Sequence, residues 1–173
     1  SVFNLSLILP VLALLTLLLL SGLVSGSEVA FFSLTPNDLD ELENSKKGKD
    51  DLVLKVLKTP KQLLGTILIS NNFLNISIVI LTAIILSPVI DFYEHHRFTT
   101  TLFGFELNLA GDTFIFLIQL LGVTFLILLF GEILPKVYAT QNRMKLSKFM
   151  VTPLNRLMKV FGPLNQLMIN STR

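Results

Sequence analysis

The chain has 173 residues, 51% of them hydrophobic, and a formal net charge of only +2. It contains no cysteine, which excludes disulfides, thiolate metal sites and cysteine catalysis. The apolar residues are gathered into three blocks at about 5–33, 63–86 and 114–138, and a bilayer core takes about 20 helical residues to cross. We therefore predict an all-α membrane protein in which 1–173 forms a single transmembrane domain with three transmembrane helices.

The inner half of the first block carries small and polar residues. Ser21 and Ser25 are four apart, so they share one helical face, and Gly22 and Gly26 lie beside them. A packing seam against another helix would explain the glycines, and the hydroxyls could also line a cavity. A signal peptide is the rival interpretation of this block, but the basic start is missing and the apolar run is longer than such peptides have.

The connection between the first two blocks predicts juxtamembrane helices at about 36–58. Thr35, followed by proline, is typical of a helix N-cap and first turn. Gly48 can end this helix, and Asp50 or Asp51 can cap a second one.

The second block contains three amides within two helical turns. Asn71 and Asn75 are four apart, and Asn72 is three from Asn75. An interhelical hydrogen-bond clamp would explain them. Amide oxygens are also neutral, hard ligands for Mg²⁺, Na⁺ or Ca²⁺, so a cation site is the alternative.

The third block contains a proline near its end. Pro135 has no N–H, so the carbonyl of Gly131, four residues earlier, is predicted to lose its helical partner. Glu132 adds a carboxylate beside that carbonyl. Interrupted helices that offer carbonyls to a cation recur in transporters. A plain helix end at the membrane surface is the alternative.

Basic residues are concentrated in the first connection and after the third block. The second connection has only Arg97. This asymmetry predicts the N-terminus outside and the C-terminus in the cytoplasm. Apolar residues at spacings of three and four predict a second amphipathic region at about 143–170, which lies on the membrane or packs on the other juxtamembrane helices. Together these helices would form a basic belt on the cytoplasmic side, suited to anionic headgroups and without a nucleic-acid motif.

Counted inward along the three helices at about 1.5 Å per residue, the polar clusters fall on a common level of the membrane. Hydroxyls, amides, a carbonyl and one carboxylate would form an all-oxygen site, which favours a hard cation over zinc or copper. The predicted ligands are Ser21, Ser25, Asn71, Asn72, Asn75, Gly131 and Glu132. We do not expect an enzyme, because neither a nucleophile with a base nor a phosphate-binding loop is visible.

The motifs SGLVSGSE, SNNFLN and GEILPK, in this order on three spans, resemble the transmembrane domain of the CNNM/CorC family of magnesium transporters. The resemblance covers nearly the whole chain. It implies a homodimer in the plasma membrane, the inner membrane of a bacterium, that exports Mg²⁺ coupled to Na⁺ entry. It also implies that Ser21 or Ser25, the asparagines with Asn72 as an optional member, and the Gly131–Glu132 pair hold the ion. Family members continue into cytoplasmic CBS modules, which we expect this chain to lack.

Two alternatives stay open at this point. One Glu per site leaves excess positive charge around a divalent ion, so Na⁺ is a rival occupant. A non-transporting scaffold or sensor that anchors cytoplasmic regulatory domains, in a haemolysin-like or gliding-associated complex, is the rival function, and it predicts no ion flux.

Overall fold

The computed structural model describes residues 2–45, 48–93, 97–102 and 105–163. Helices dominate this part of the chain. In order, the elements are α1 (Val2–Phe32), α2 (Pro36–Ser45), α3 (Lys49–Leu57), α4 (Pro60–Tyr93), β1 (Arg97–Leu102), β2 (Phe105–Ala110), α5 (Gly111–Leu126), a π-helical segment (Ile127–Ile133), α6 (Leu134–Gln141) and α7 (Arg143–Val160).

Three helical stretches within the described residues are long and apolar enough to cross a membrane. Span 1 is Ile8–Phe32, span 2 is Pro60–Ser87 and span 3 is Gln119–Gln141. Span 3 is composite, because it joins α5, the π-helical segment and α6. The predicted helical membrane fold with three crossings is confirmed, and span 3 ends at Gln141, a few residues beyond the hydrophobic block.

A β-hairpin lies between spans 2 and 3. β1 and β2 pair antiparallel, from Arg97 opposite Ala110 to Leu102 opposite Phe105. The partial alternation of apolar and polar residues at 101–109 is typical of short strands. The hairpin adds two strands to the otherwise helical fold of the described residues.

The start of α2 follows the predicted capping signal. The Thr35 hydroxyl accepts the Asp38 N–H at 3.4 Å, and the Asp38 carboxylate accepts the Thr35 N–H at 2.8 Å. Two otherwise unpaired N–H groups are satisfied reciprocally, as in a capping box. Asp38 also accepts the Arg143 side chain at 2.6 Å, so this cap is tied to the start of α7.

The turn between α2 and α3 depends on Gly48, whose φ of +37° is accessible to glycine at little steric cost. The prediction that Asp50 or Asp51 caps α3 is wrong, because α3 begins at Lys49 with Gly48 as its N-cap. Asp50 lies in the first turn instead. Its carboxylate accepts the Ser45 hydroxyl and pairs with Lys148 of α7 at 3.0 Å.

The apolar core sits where the end of α1 and the start of α4 meet the three juxtamembrane helices. Its most deeply buried large side chains come from all five helices: Phe31, Leu42, Val53, Val56, Leu63, Val151 and Leu154. Further along the spans most large apolar side chains are exposed, as expected of surfaces that face lipid. The predicted part of the last amphipathic helix beyond residue 163 lies outside the described residues.

Candidate cation site between the three spans

The centre of the candidate site is Ser21 on span 1, whose side chain is 0% exposed. Its Oγ lies 3.2 Å from Oδ1 of Asn71 and 3.0 Å from Oδ1 of Asn75 on span 2. The two asparagines are four apart, so both project from one face of α4. Three oxygens from two spans therefore meet within an apolar surrounding.

The Ser21 hydroxyl has one proton but two amide oxygens as neighbours. It can donate to Asn71 or to Asn75, and not to both at once. The second amide either turns its NH₂ group toward Ser21, which gives the hydrogen-bond clamp, or keeps its oxygen there without a hydrogen bond from Ser21, which leaves that oxygen available as a cation ligand. The two interpretations of the sequence thus differ by the rotation of one amide.

Span 3 reaches the same point through Gly131, which is buried. A Cβ placed on Gly131 would lie 3.1 Å from Ser21 Oγ. Gly131 lies in the π-helical segment, where the N–H of Leu134 reaches the carbonyl of Leu129, five residues back. Such segments inside α-helices are frequent at functional sites. The helix is therefore wider ahead of Pro135, and it continues through the proline as α6. That the Gly131 carbonyl lacks a helical hydrogen bond stays a prediction.

The small residues of span 1 allow span 3 to pack closely against it. A Cβ on Gly22 would lie 2.8 Å from Cγ of Pro135, and one on Gly26 would lie 3.1 Å from the Pro135 carbonyl oxygen. The predicted packing seam is confirmed, with the proline ring of span 3 as its partner. This contact sets the level at which Gly131 faces Ser21.

The remaining predicted ligands differ in burial and in hydrogen bonding. Ser25 is 1% exposed and its Oγ has no hydrogen-bond partner among the described residues. Glu132, next to Gly131, is half-buried and forms no ion pair within the described part of the chain. Asn72 is exposed on a neighbouring face of α4. The structure therefore groups Ser21, Asn71, Asn75 and Gly131, and leaves Asn72 outside.

Sequence reasoning missed Ser70, which directly precedes the asparagines. Its side chain is 6% exposed, and its Oγ has no partner among the described residues. Buried hydroxyls are normally paired, so Ser25 and Ser70 are oxygens still open to a ligand or water. The available signal was periodicity, because Ser70 shares the buried face of α4 with Leu63, Ile67 and Leu74.

Charged pairs join span 1 to span 3, and they join the juxtamembrane helices to one another. Lys136, just after Pro135, lies 3.2 Å from Glu28 of span 1. Outside the spans, hydrogen bonds from Thr35 and then from Arg143 lower the pKa of Asp38 to about 2. The pKa of Asp50 is also lowered, first by the Ser45 hydrogen bond and then by Lys148.

The sequence from residue 12 to residue 173 matches the family model described as the cyclin M transmembrane N-terminal domain, CNNM. The chain belongs to the CNNM family. This CNNM domain is 34% identical, over 152 residues, to the UPF0053 protein of Haemophilus influenzae. The match covers 87% of this chain and 31% of that protein, so the chain spans about a third of the relative's length. The family resemblance drawn from the three motifs is confirmed, and the CNNM domain is a multi-pass membrane protein.

Proposed function

We propose that this CNNM domain carries Mg²⁺ across the membrane, in export coupled to Na⁺ entry. The observation that carries the proposal is the meeting of Ser21, Asn71 and Asn75 beside Gly131, which brings oxygen groups from separate spans to one level. Mg²⁺ and Na⁺ are hard cations that take oxygen ligands, and the cluster offers no nitrogen or sulfur donor that would favour zinc or copper.

The charge of the site is consistent with exchange between the two ions. Hydroxyl and amide oxygens are neutral, and Glu132 is the single carboxylate proposed as a ligand. One carboxylate compensates Na⁺ fully but leaves Mg²⁺ with a positive excess, so Na⁺ can compete with Mg²⁺ for the same ligands. The unpaired hydroxyls of Ser25 and Ser70 are available to complete the coordination of the smaller ion.

The proposed setting is a homodimer in the inner membrane of a bacterium, with the basic end of the spans in the cytoplasm. The family membership and the distribution of lysine and arginine support this setting. The proposed partners are the lipid bilayer, a second copy of the chain and the two ions. We propose neither enzymatic activity nor binding to nucleic acid.

Flux from proteoliposomes tests the proposal. Vesicles containing the purified domain are loaded with Mg²⁺, and efflux is followed with and without an inward Na⁺ gradient. Asn75→Ala and Glu132→Ala should each lower the rate by about tenfold or more, equivalent to about 1.4 kcal/mol. Asn72→Ala is the matched control, because the same residue type is removed outside the cluster, and its rate should be unchanged.

Unchanged flux in both site variants would reject this ion path. Absence of Mg²⁺ flux from the unmodified domain under every gradient would favour the scaffold or sensor. Size-exclusion profiles of each variant show whether a lower rate reflects the site or a loss of folding.

A further inference from the structure

Helix α7 has two distinct faces. The first is buried against α1, α3 and α4 and includes Leu146, Met150, Val151 and Leu154. The opposite face is exposed, and at about 100° per residue its members fall within an arc of about 100°. This outer face of α7 consists of Lys145, Phe149, Arg156, Lys159 and Val160.

The outer face of α7 combines unpaired cations with apolar side chains. The helix sequence RMKLSKFMVTPLNRLMKV contains no acidic residue. Two of its five cations are paired elsewhere, with Asp38 and Asp50. The three on the outer face form no ion pair with any described residue. Phe149 and Val160 are 59% and 69% exposed, although each is large and apolar.

The chain connection places the start of α7 close to the bilayer surface. Only Asn142 separates Gln141, the end of span 3, from the first residue of α7. The helix therefore begins where the span leaves the membrane. The exposed side chains of α2, a helix at the same end of the spans, are different: they include Asp40, Glu41 and Glu43 and no cation.

We propose that the outer face of α7 binds the headgroups of anionic phospholipids, with Phe149 and Val160 inserted at the boundary with the acyl chains. Lysine and arginine beside a membrane are attracted to anionic lipid headgroups. Amphipathic helices with cations flanking aromatic and aliphatic side chains bind in this way. The acidic surface of α2 would be repelled by the same headgroups, so it faces water.

A tryptophan reporter tests this inference, since the chain has no tryptophan. The Phe149→Trp variant is reconstituted into nanodiscs of phosphatidylcholine and phosphatidylglycerol at equal mole fractions, with one or the other lipid brominated. Bromine quenches tryptophan on contact. We expect blue-shifted emission and quenching by brominated phosphatidylglycerol that is roughly threefold or more stronger than by brominated phosphatidylcholine, because three cations act together.

Removing the charges from the outer face should abolish the preference. In the Phe149→Trp background, Lys145→Gln, Arg156→Gln and Lys159→Gln together should bring the two quenching values to equality, and high salt should act in the same direction.

The matched control removes three exposed lysines elsewhere in the same background, by Lys55→Gln, Lys58→Gln and Lys61→Gln, and should keep the preference. Emission typical of water with no quenching would overturn the proposal, since the face would then be exposed to solvent. Equal quenching by both lipids before any charge is removed would also overturn it, because the contact would then not recognise anionic headgroups.

Discussion

Alanine at Gly22 should force spans 1 and 3 apart. The added Cβ would lie 2.8 Å from Cγ of Pro135 and 3.1 Å from the carbonyl oxygen of Phe130. Carbon atoms in good contact are about 3.5–4.0 Å apart, so the overlap with the proline is about 0.7 Å or more. A proline ring cannot rotate away as a flexible side chain would. Overpacking of this kind costs about 1–3 kcal/mol.

The melting temperature in detergent measures this cost. In a chain of this size, 1 kcal/mol corresponds to roughly 2–4 °C, so Gly22→Ala should lower the melting temperature by roughly 2–12 °C. The matched control is Gly122→Ala, where an added Cβ meets nothing within 4 Å. That variant should be unchanged or slightly more stable, because alanine favours a helix by about 0.5–1 kcal/mol over glycine. Equal melting temperatures for both variants would refute the close approach of spans 1 and 3.

Gly131→Ala should lower Mg²⁺ flux with little loss of folded protein. The added Cβ would lie 3.1 Å from Ser21 Oγ and push the hydroxyl away from the asparagines. Unchanged flux would contradict a role of this cluster in ion transport. The pKa of Asp38 is lowered from 3.8 to about 2, so its stabilising effect should be complete above about pH 4 and lost as the pH falls toward 2. Melting between pH 5 and pH 2 should therefore show a smaller pH dependence in Asp38→Asn and in Arg143→Gln, and curves identical to the unmodified chain would contradict this.

The features that the sequence predicted correctly depend on local signals. Hydropathy marks the three spans because twenty apolar residues in a row have few other stable environments. The start of α2 follows from Thr35 and the proline after it, since capping involves residues only three apart. The close seam along Gly22 and Gly26 follows from the absence of side chains, although its partner Pro135 could not be named.

The features that were missed or left open depend on how the helices are rotated against each other. Spacing places Ser21 and Ser25 on one face, but only the packing of spans 1 and 2 decides which of them meets the asparagines. The same rotation exposes Asn72. Pro135 indicated an interrupted helix, yet the helix is not broken there: it widens into a π-helical segment ahead of the proline and then continues. The ion pair between Asp38 and Arg143 joins residues 105 apart in the sequence, which no local pattern reveals.

The central claim, that the cluster around Ser21 binds a cation, is tested most directly by stabilisation with Mg²⁺. A ligand that binds the folded state raises its stability, by about 2.7 kcal/mol at a concentration 100 times its Kd. In a magnesium titration, the melting temperature should rise for the unmodified domain and for Asn72→Ala, and should stay flat for Asn75→Ala. An equal rise in all three proteins, or no rise in the unmodified domain, would contradict binding at this cluster.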